Sequence, residues 1–324
     1  MTTLKMGLIG LGAMGRHHAR LIRQTEGVEL VAVADPGGDP FGVAGELAVL
    51  PNVQALVEAG IDAAVVAVPT IFHEDVALAL AAAGIHAMVE KPIAHDVAAG
   101  IRIADAFEAA GLVGTVGYVE RCNAAIVQMR RRMAAGQLGE IYQITTSRQS
   151  PFPVRIADVG VVKDLATHDI DLTAWLADST YASIHAEVTH RAGRQHEDMV
   201  VASGKMANGI VVNHTVNWLA PFKERRTTVI GEKGAFIADT ATGDLTYYAN
   251  ASVDTEWEEM AAFRGPSEGD VTRYAFAKPE PLAVEHLNFA RALRGEPNSA
   301  VSMREGVRTL ETIERVLAAA GISN

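Results

Sequence analysis

Short apolar runs alternate with helical periodicities over the first third of the chain. Lys5–Ile9, Glu29–Ala34, Ala63–Val68, His86–Val89 and Val113–Val116 are apolar at nearly every position, the pattern of strands buried on both faces of a parallel sheet. Between them, Met14–Thr25, Phe72–Ala83 and Val97–Ala110 predict helices, and Gly84 and Gly111 stand where the last two should end. This alternation predicts a doubly wound α/β domain over residues 1–118.

After Gly117 the pattern changes. A helix is expected at Ala124–Ala135, a strand at Ile141–Ser147, an irregular proline-containing loop over Ser150–Val162 and a helix over Leu165–Ala177. From Ala182 to Tyr248, strand-like runs are joined by turn signals at Asn208-Gly209, Gly231-Glu232-Lys233-Gly234 and Thr242-Gly243-Asp244. That is the signature of one large, mostly antiparallel sheet. Pro281–Leu293 and Met303–Ala320 return to helix, and these helices are free to pack back on the first domain. The second domain is therefore taken as 119–324, an α+β domain, and no internal repeat or low-complexity segment is visible.

Composition narrows the function classes. A chain of 324 residues with 49% hydrophobic and 21% charged residues is long enough for two cores and has a globular balance. Its net charge of -11 argues against binding a nucleic-acid backbone, which takes clustered Lys and Arg. Cys122 is the single cysteine, so no internal disulfide or CxxC metal site is possible, and no HExxH-type ligand spacing occurs; no metal is expected. His185, His190 and His196 stand on presumed strands without paired acids and are read as sheet residues. Met1–Lys5 leads straight into a strand pattern, and no apolar run reaches the roughly 18 residues of a membrane span. A reduced, cytoplasmic enzyme is the expectation, with no membrane partner.

The first chemical motif is Gly10-Leu11-Gly12-Ala13-Met14-Gly15, between a predicted strand and a predicted helix. In that setting the first glycine makes the tight turn, the second admits a pyrophosphate and the third lets helix pack on strand. The helix N-terminus offers N–H groups and the positive end of its dipole to the phosphates. Asp35 follows Gly15 by 20 positions at the end of the second strand, where a carboxylate hydrogen-bonds ribose hydroxyls and repels a 2′-phosphate. NAD is thereby favoured over NADP. Pro69 and Thr70 close another strand and are placed to pass near the cofactor; His73 opens the next helix, as a cofactor neighbour or an ordinary first-turn residue.

Glu90-Lys91-Pro92 ends a further strand on the same carboxyl edge, beside the cofactor. Pro92 restricts Lys91 to extended geometry and aims its ammonium at the cleft, unless Glu90 and Lys91 are a surface pair. On the helix expected near residue 165, Asp164, His168 and Asp171 share one face at helical spacing. The alternative makes Asp164 an N-cap and His168 a solvated side chain. Removing hydride from a secondary alcohol requires a base for the hydroxyl proton, which suits His, and a cation beside the developing alkoxide, which suits Lys.

Taken in order, the glycine motif, Pro69-Thr70 with His73, Glu90-Lys91-Pro92 and Asp164-xxx-His168 closely resemble the glucose–fructose oxidoreductase / inositol dehydrogenase / rhizopine-catabolism (Gfo/Idh/MocA) family. The similarity extends over nearly the whole chain. It implies a Rossmann domain followed by a domain with a large open sheet that often forms homodimers or homotetramers. It also implies that Lys91 and His168 work at the reacting hydroxyl, with His168 the candidate base, while Asp164 orients the substrate. Tyr118 and its neighbours, with the Pro151–Val161 loop, look most like the nucleotide-sugar branch, whose members resemble UDP-N-acetylglucosamine 3-dehydrogenase. Arg148 and Arg155 flank that loop, and their guanidinium forks suit a diphosphate; they equally suit the loop's own carbonyls or a subunit contact. The expectation is NAD-dependent oxidation of a sugar-ring hydroxyl. A free sugar or inositol dehydrogenase and a catalytically silent NAD-binding regulator are the alternatives.

Overall fold

The computed structural model describes residues 3–153, 159–193, 195–251 and 269–322. Two compact units divide the chain: Met1–Cys122 with Glu280–Glu314, and Asn123–Pro279 with Arg315–Asn324.

In the first unit, β1 (Leu4–Ile9), β2 (Val28–Ala34), β3 (Val49–Leu50), β4 (Ala63–Val66), β5 (His86–Glu90) and β6 (Gly114–Gly117) form a parallel sheet. Its order is β6-β5-β4-β1-β2-β3, with Val301–Ser302 added antiparallel beside β6. All four residues of β4 are buried, as a central strand covered on both faces requires. Helices α1 (Gly15–Gln24), α2 (Val53–Glu58), α3 (His73–Ala82) and α4 (Val97–Ala109) make the connections. The β3 strand and α2 are too short to leave a periodic signal in the sequence. Leu8, Ile22, Val33, Val65 and Met88 pack into one core with Phe289 from the returning segment. Each such fully buried side chain stabilises the fold by roughly 1.5–3 kcal/mol.

The second unit starts with α5 (Ala124–Ala134), capped by the Asn123 side chain, which accepts from the Ala125 N–H. Then come β7 (Ile141–Pro151), α6 (Thr167–Ala177), β8 (Tyr181–Thr189), β9 (Met199–Met206), β10 (Val211–Asn217), β11 (Leu219–Gly231), β12 (Gly234–Asp239), β13 (Asp244–Ala249) and β14 (Val271–Arg273). The sheet order is β14-β13-β12-β11-β7-β10-β9-β8, and its expected turns join β9 to β10, β11 to β12 and β12 to β13. One pair, β7 with β10, runs parallel, so the sheet is mostly rather than wholly antiparallel. His185 lies on β8 as expected; His190 and His196 lie past its end, in the connection to β9. The chain closes with α7 (Pro281–Leu293) and α8 (Met303–Ala319), whose residues to Glu314 belong to the first unit. No helix among the described residues is long and apolar enough to cross a membrane.

Candidate functional site

The first unit assembles its candidate residues on one edge, because each follows a neighbouring parallel strand. The glycine loop follows β1, Asp35 follows β2, Pro69 and Thr70 follow β4, and Lys91 follows β5. Gly10 has φ +96, and a Cβ there would stand 2.5 Å from the Ala67 carbonyl. A Cβ on Gly15 would stand 2.0 Å from the Gly10 oxygen, so loop and helix close only without side chains. Gly12 differs, since a Cβ there would meet nothing within 4 Å. Ala13 and Met14 form the exposed turn that leads into α1, and the Met14 carbonyl accepts from the N–H groups of His17 and His18. Asp35 is held by the same loop: Oδ2 accepts from the Leu11 N–H at 2.7 Å and Oδ1 from the Gly37 N–H at 2.8 Å. A tight glycine turn with open space over Gly12 and a carboxylate fixed at the end of β2 fit a dinucleotide.

Pro69 is exposed, and Thr70 opens a short turn, Thr70–Phe72, ahead of α3. His73 opens α3, as the first-turn reading has it. It is 1% exposed, and its Nδ1 and Nε2 stand 3.0 Å from the Pro92 and Val68 carbonyl oxygens. Both ring nitrogens face backbone carbonyls, so His73 braces two loops at the strand ends. Burial holds this imidazole below its ordinary range, against the two carbonyls that favour the cation.

Glu90 and Lys91 sit at the end of β5, and the Lys91–Pro92 peptide bond is cis. Glu90 is not a surface partner. Its Oε1 lies 2.8 Å from His18 Nε2 on α1, and its Oε2 accepts from the Lys91 backbone N–H at 3.1 Å. Burial pushes the Glu90 carboxyl up, but His18 and Lys91 together hold it below its ordinary value. Tyr118, expected at the substrate, is 1% exposed and directly precedes the short helix Val119–Cys122. It lines a small cavity with Thr115, Cys122, Glu285 and Asn288. Burial raises the Cys122 thiol to about 12, which leaves it an inert thiol.

In the second unit the helix that carries Asp164 and His168 starts earlier than expected. Val162–Ala166 is a π turn, with the Thr167 N–H bonded to the Val162 carbonyl, and it runs directly into α6. The Asp164 N–H bonds to the Gly160 carbonyl, so Asp164 lies inside the helix and is not its N-cap. Glu197 serves that end instead: its Oε1 accepts from the Val162 N–H and its backbone carbonyl from the Val161 N–H, both at 3.0 Å. Asp164 and His168 are half-buried, whereas Asp171, expected on their face, is 1% exposed. The π turn takes up one residue more than an α turn, so the phase counted from Asp164 is wrong by the time it reaches Asp171.

Arg148 lies on β7. It is buried, and its Nε donates to both oxygens of Asp169, the carboxylate next to His168, at 3.0 Å. Beside this pair His214 Nδ1 meets Thr146 Oγ1 at 2.8 Å, and its Nε2 meets the Tyr181 hydroxyl at 3.0 Å. Burial depresses His214 to about 4 and keeps the ring neutral. Arg155 lies outside the described residues. His18, Asp169 and Glu197 went unnoticed in the sequence. Their partners stand 72, 21 and 35 positions away, and no local pattern marks them.

Residues 4–118 match the model of an oxidoreductase family with an NAD-binding Rossmann fold, and residues 126–237 match that of the GFO/IDH/MocA C-terminal domain. UDP-N-acetylglucosamine 3-dehydrogenase of Acidithiobacillus ferrooxidans is 30% identical over 251 residues, 76% of this chain and 78% of its own. The chain belongs to the GFO/IDH/MocA family. Inositol 2-dehydrogenase 4 of Saccharopolyspora erythraea, similar to the same chain, is 29% identical over 64% of it and 65% of its own length. A solved structure of the Acidithiobacillus ferrooxidans 3-dehydrogenase superposes with a TM-score of 0.84 at 25% identity, covering 98% of both chains. The chain is thus a GFO/IDH/MocA oxidoreductase whose relatives are named dehydrogenases.

Proposed function

We propose that the protein is an NAD-dependent dehydrogenase that oxidises a secondary hydroxyl of a sugar ring, on a nucleotide sugar in a 3-dehydrogenase-type reaction. The observation that carries this reading is the single edge on which the glycine loop, Asp35 and Lys91 follow β1, β2 and β5. NAD, when bound, supplies the hydride acceptor. Gly10, Gly12, Ala13, Met14 and Gly15 hold its pyrophosphate, and Asp35 binds its ribose. His168 accepts the hydroxyl proton, the Lys91 ammonium stabilises the alkoxide as charge develops, and Asp164 orients the sugar. The likeness to the Acidithiobacillus ferrooxidans enzyme supports the nucleotide-sugar class.

A second reading, a free sugar or inositol dehydrogenase, is favoured by the Arg148–Asp169 pair, which engages one of the two arginines offered to a diphosphate. The test follows NADH absorbance while UDP-N-acetylglucosamine, other UDP-sugars, free sugars and inositols are offered in turn. Reduction of NAD by a UDP-sugar supports the first reading. Turnover of inositol or a free sugar, but of no UDP-sugar, replaces it with the second. NAD binding without any turnover makes the protein a regulator.

The protein is further proposed to form a homodimer or homotetramer through the open face of its second sheet. Val211, Gln143, Ile230, Ala235, Tyr248 and Val271 stand in register across β10, β7, β11, β12, β13 and β14. Four of them, Val211, Ile230, Tyr248 and Val271, are exposed apolar residues in a single row. Light scattering on an Ile230→Lys/Tyr248→Lys variant should read a monomer and the parent an oligomer. A monomeric parent at micromolar concentration ends the idea.

A further inference from the structure

The returning helix α7 brings a second histidine to the Glu90–Lys91 corner from almost two hundred residues away. His286 is buried, and its Nε2 lies 3.0 Å from Nδ1 of His18, which has no exposed surface. The opposite nitrogen of His18 meets Glu90 Oε1 at 2.8 Å, and the other Glu90 oxygen holds the Lys91 backbone N–H. Four residues from three elements of the first unit, α7, α1 and the end of β5, therefore form one hydrogen-bonded line, His286–His18–Glu90–Lys91.

One proton in this line has a forced place. An ionised carboxylate only accepts, so His18 donates from Nε2. With one proton on the His18 ring, Nδ1 accepts and His286 donates from Nε2; with two, Nδ1 donates and His286 Nε2 accepts, and in both cases the two rings are joined. Burial, with help from His18 and Arg20, depresses His286 to about 3, so that ring is neutral. Glu285, one residue before His286, faces Glu90 without a hydrogen-bond partner for its Oε2 among the described residues. Burial and the Glu90 charge raise Glu285 well above the carboxylate range, so it is a neutral neighbour and adds no second negative charge.

We propose that His286 is a positioning residue for Lys91: its hydrogen bond to His18 Nδ1 holds that ring in place, and the ring in turn fixes the Glu90 carboxylate that anchors the Lys91 backbone. This rests on the reading that Lys91 serves the reacting hydroxyl. A His18 ring free to turn would withdraw its Nε2–H from Glu90, release the carboxylate and loosen the lysine at the edge of the site.

The test compares His286→Phe, which keeps a ring but offers no donor, with His286→Gln, whose amide can still donate to His18. Three measurements are made on the full chain: histidine ¹⁵N shifts, amide hydrogen exchange at Lys91, and steady-state kinetics with NAD and the best substrate from the panel above. For His286→Phe we expect the Nε2–H signature of His18 to be lost and exchange at Lys91 to accelerate. We also expect kcat to fall about tenfold with KM and NAD affinity nearly unchanged, as a slightly misplaced catalytic group would give. His286→Gln should return all three toward the parent. A folded His286→Phe protein with parental exchange at Lys91 overturns the proposal, and so does one with a parental His18 signature. If the parent turns over no sugar or polyol, the dehydrogenase reading fails alone, because exchange and ¹⁵N shifts still decide whether His286 holds Lys91.

Discussion

The two units present their candidate chemistry in different ways. In the first, every candidate hangs from the end of a parallel strand, and adjacent strands bring those ends together without further instruction. In the second, Asp164 and His168 ride on a helix whose winding is altered by a π turn and whose other face is held to the sheet by buried charge, Arg148 with Asp169. A site built on strand ends tolerates imprecision in packing, because sheet register places it. A site built on a helix depends on how far that helix is rotated, and in this unit buried polar contacts hold the helix in place.

If the contrast is right, Arg148→Met should cost about 3–5 kcal/mol in denaturant unfolding, the scale for breaking a buried ion pair. Pairing it with Asp169→Leu should recover most of that. A single variant of parental stability but raised KM would instead make Arg148 a substrate residue. His168→Ala should lower kcat by at least about 10²-fold at neutral pH while NAD titrations stay unchanged. An unaltered rate would remove His168 from the base role and leave the second unit without its proton acceptor.

The first unit is probed by Asp35→Ala. Loss of a charged acceptor worth about 1.5 kcal/mol or more should erode the preference for NAD over NADP roughly tenfold. Discrimination that survives the change would mean that another residue reads the ribose. An effect of opposite sign is expected at Glu285. Its carboxyl is raised on folding, so the folded state holds a proton that the unfolded chain gives up above the ordinary carboxylate range, and stability is lost as pH rises through that range. Glu285→Gln should therefore be more stable than the parent at pH 7, with the gap closing as pH falls below about 4.5. A gap that does not vary with pH would mean that Glu285 is charged in the folded protein.

Legibility followed the same division. The strand runs, the glycine turn, Asp35 and the Glu-Lys-Pro corner could be read directly, because buried parallel strands leave apolar runs and their ends carry the chemistry. The side chains around them were less legible. No local pattern marks the carbonyls that face the His73 ring or the burial of Tyr118. The position of Asp171 was misjudged because helical counting assumes a uniform turn, and the Val162–Ala166 segment is not one.

Periodicity, turn residues and short motifs therefore determined the two sheets, the order of the elements and the chemical types available, since each rests on contacts between residues near in sequence. Only the tertiary structure decided which polar side chains face one another. The pairs Arg148–Asp169, Glu197 with the start of the π turn, and His286–His18–Glu90 join residues from 21 to 268 positions apart. A buried polar group must find a partner wherever the fold brings one, and that choice is made by packing in three dimensions.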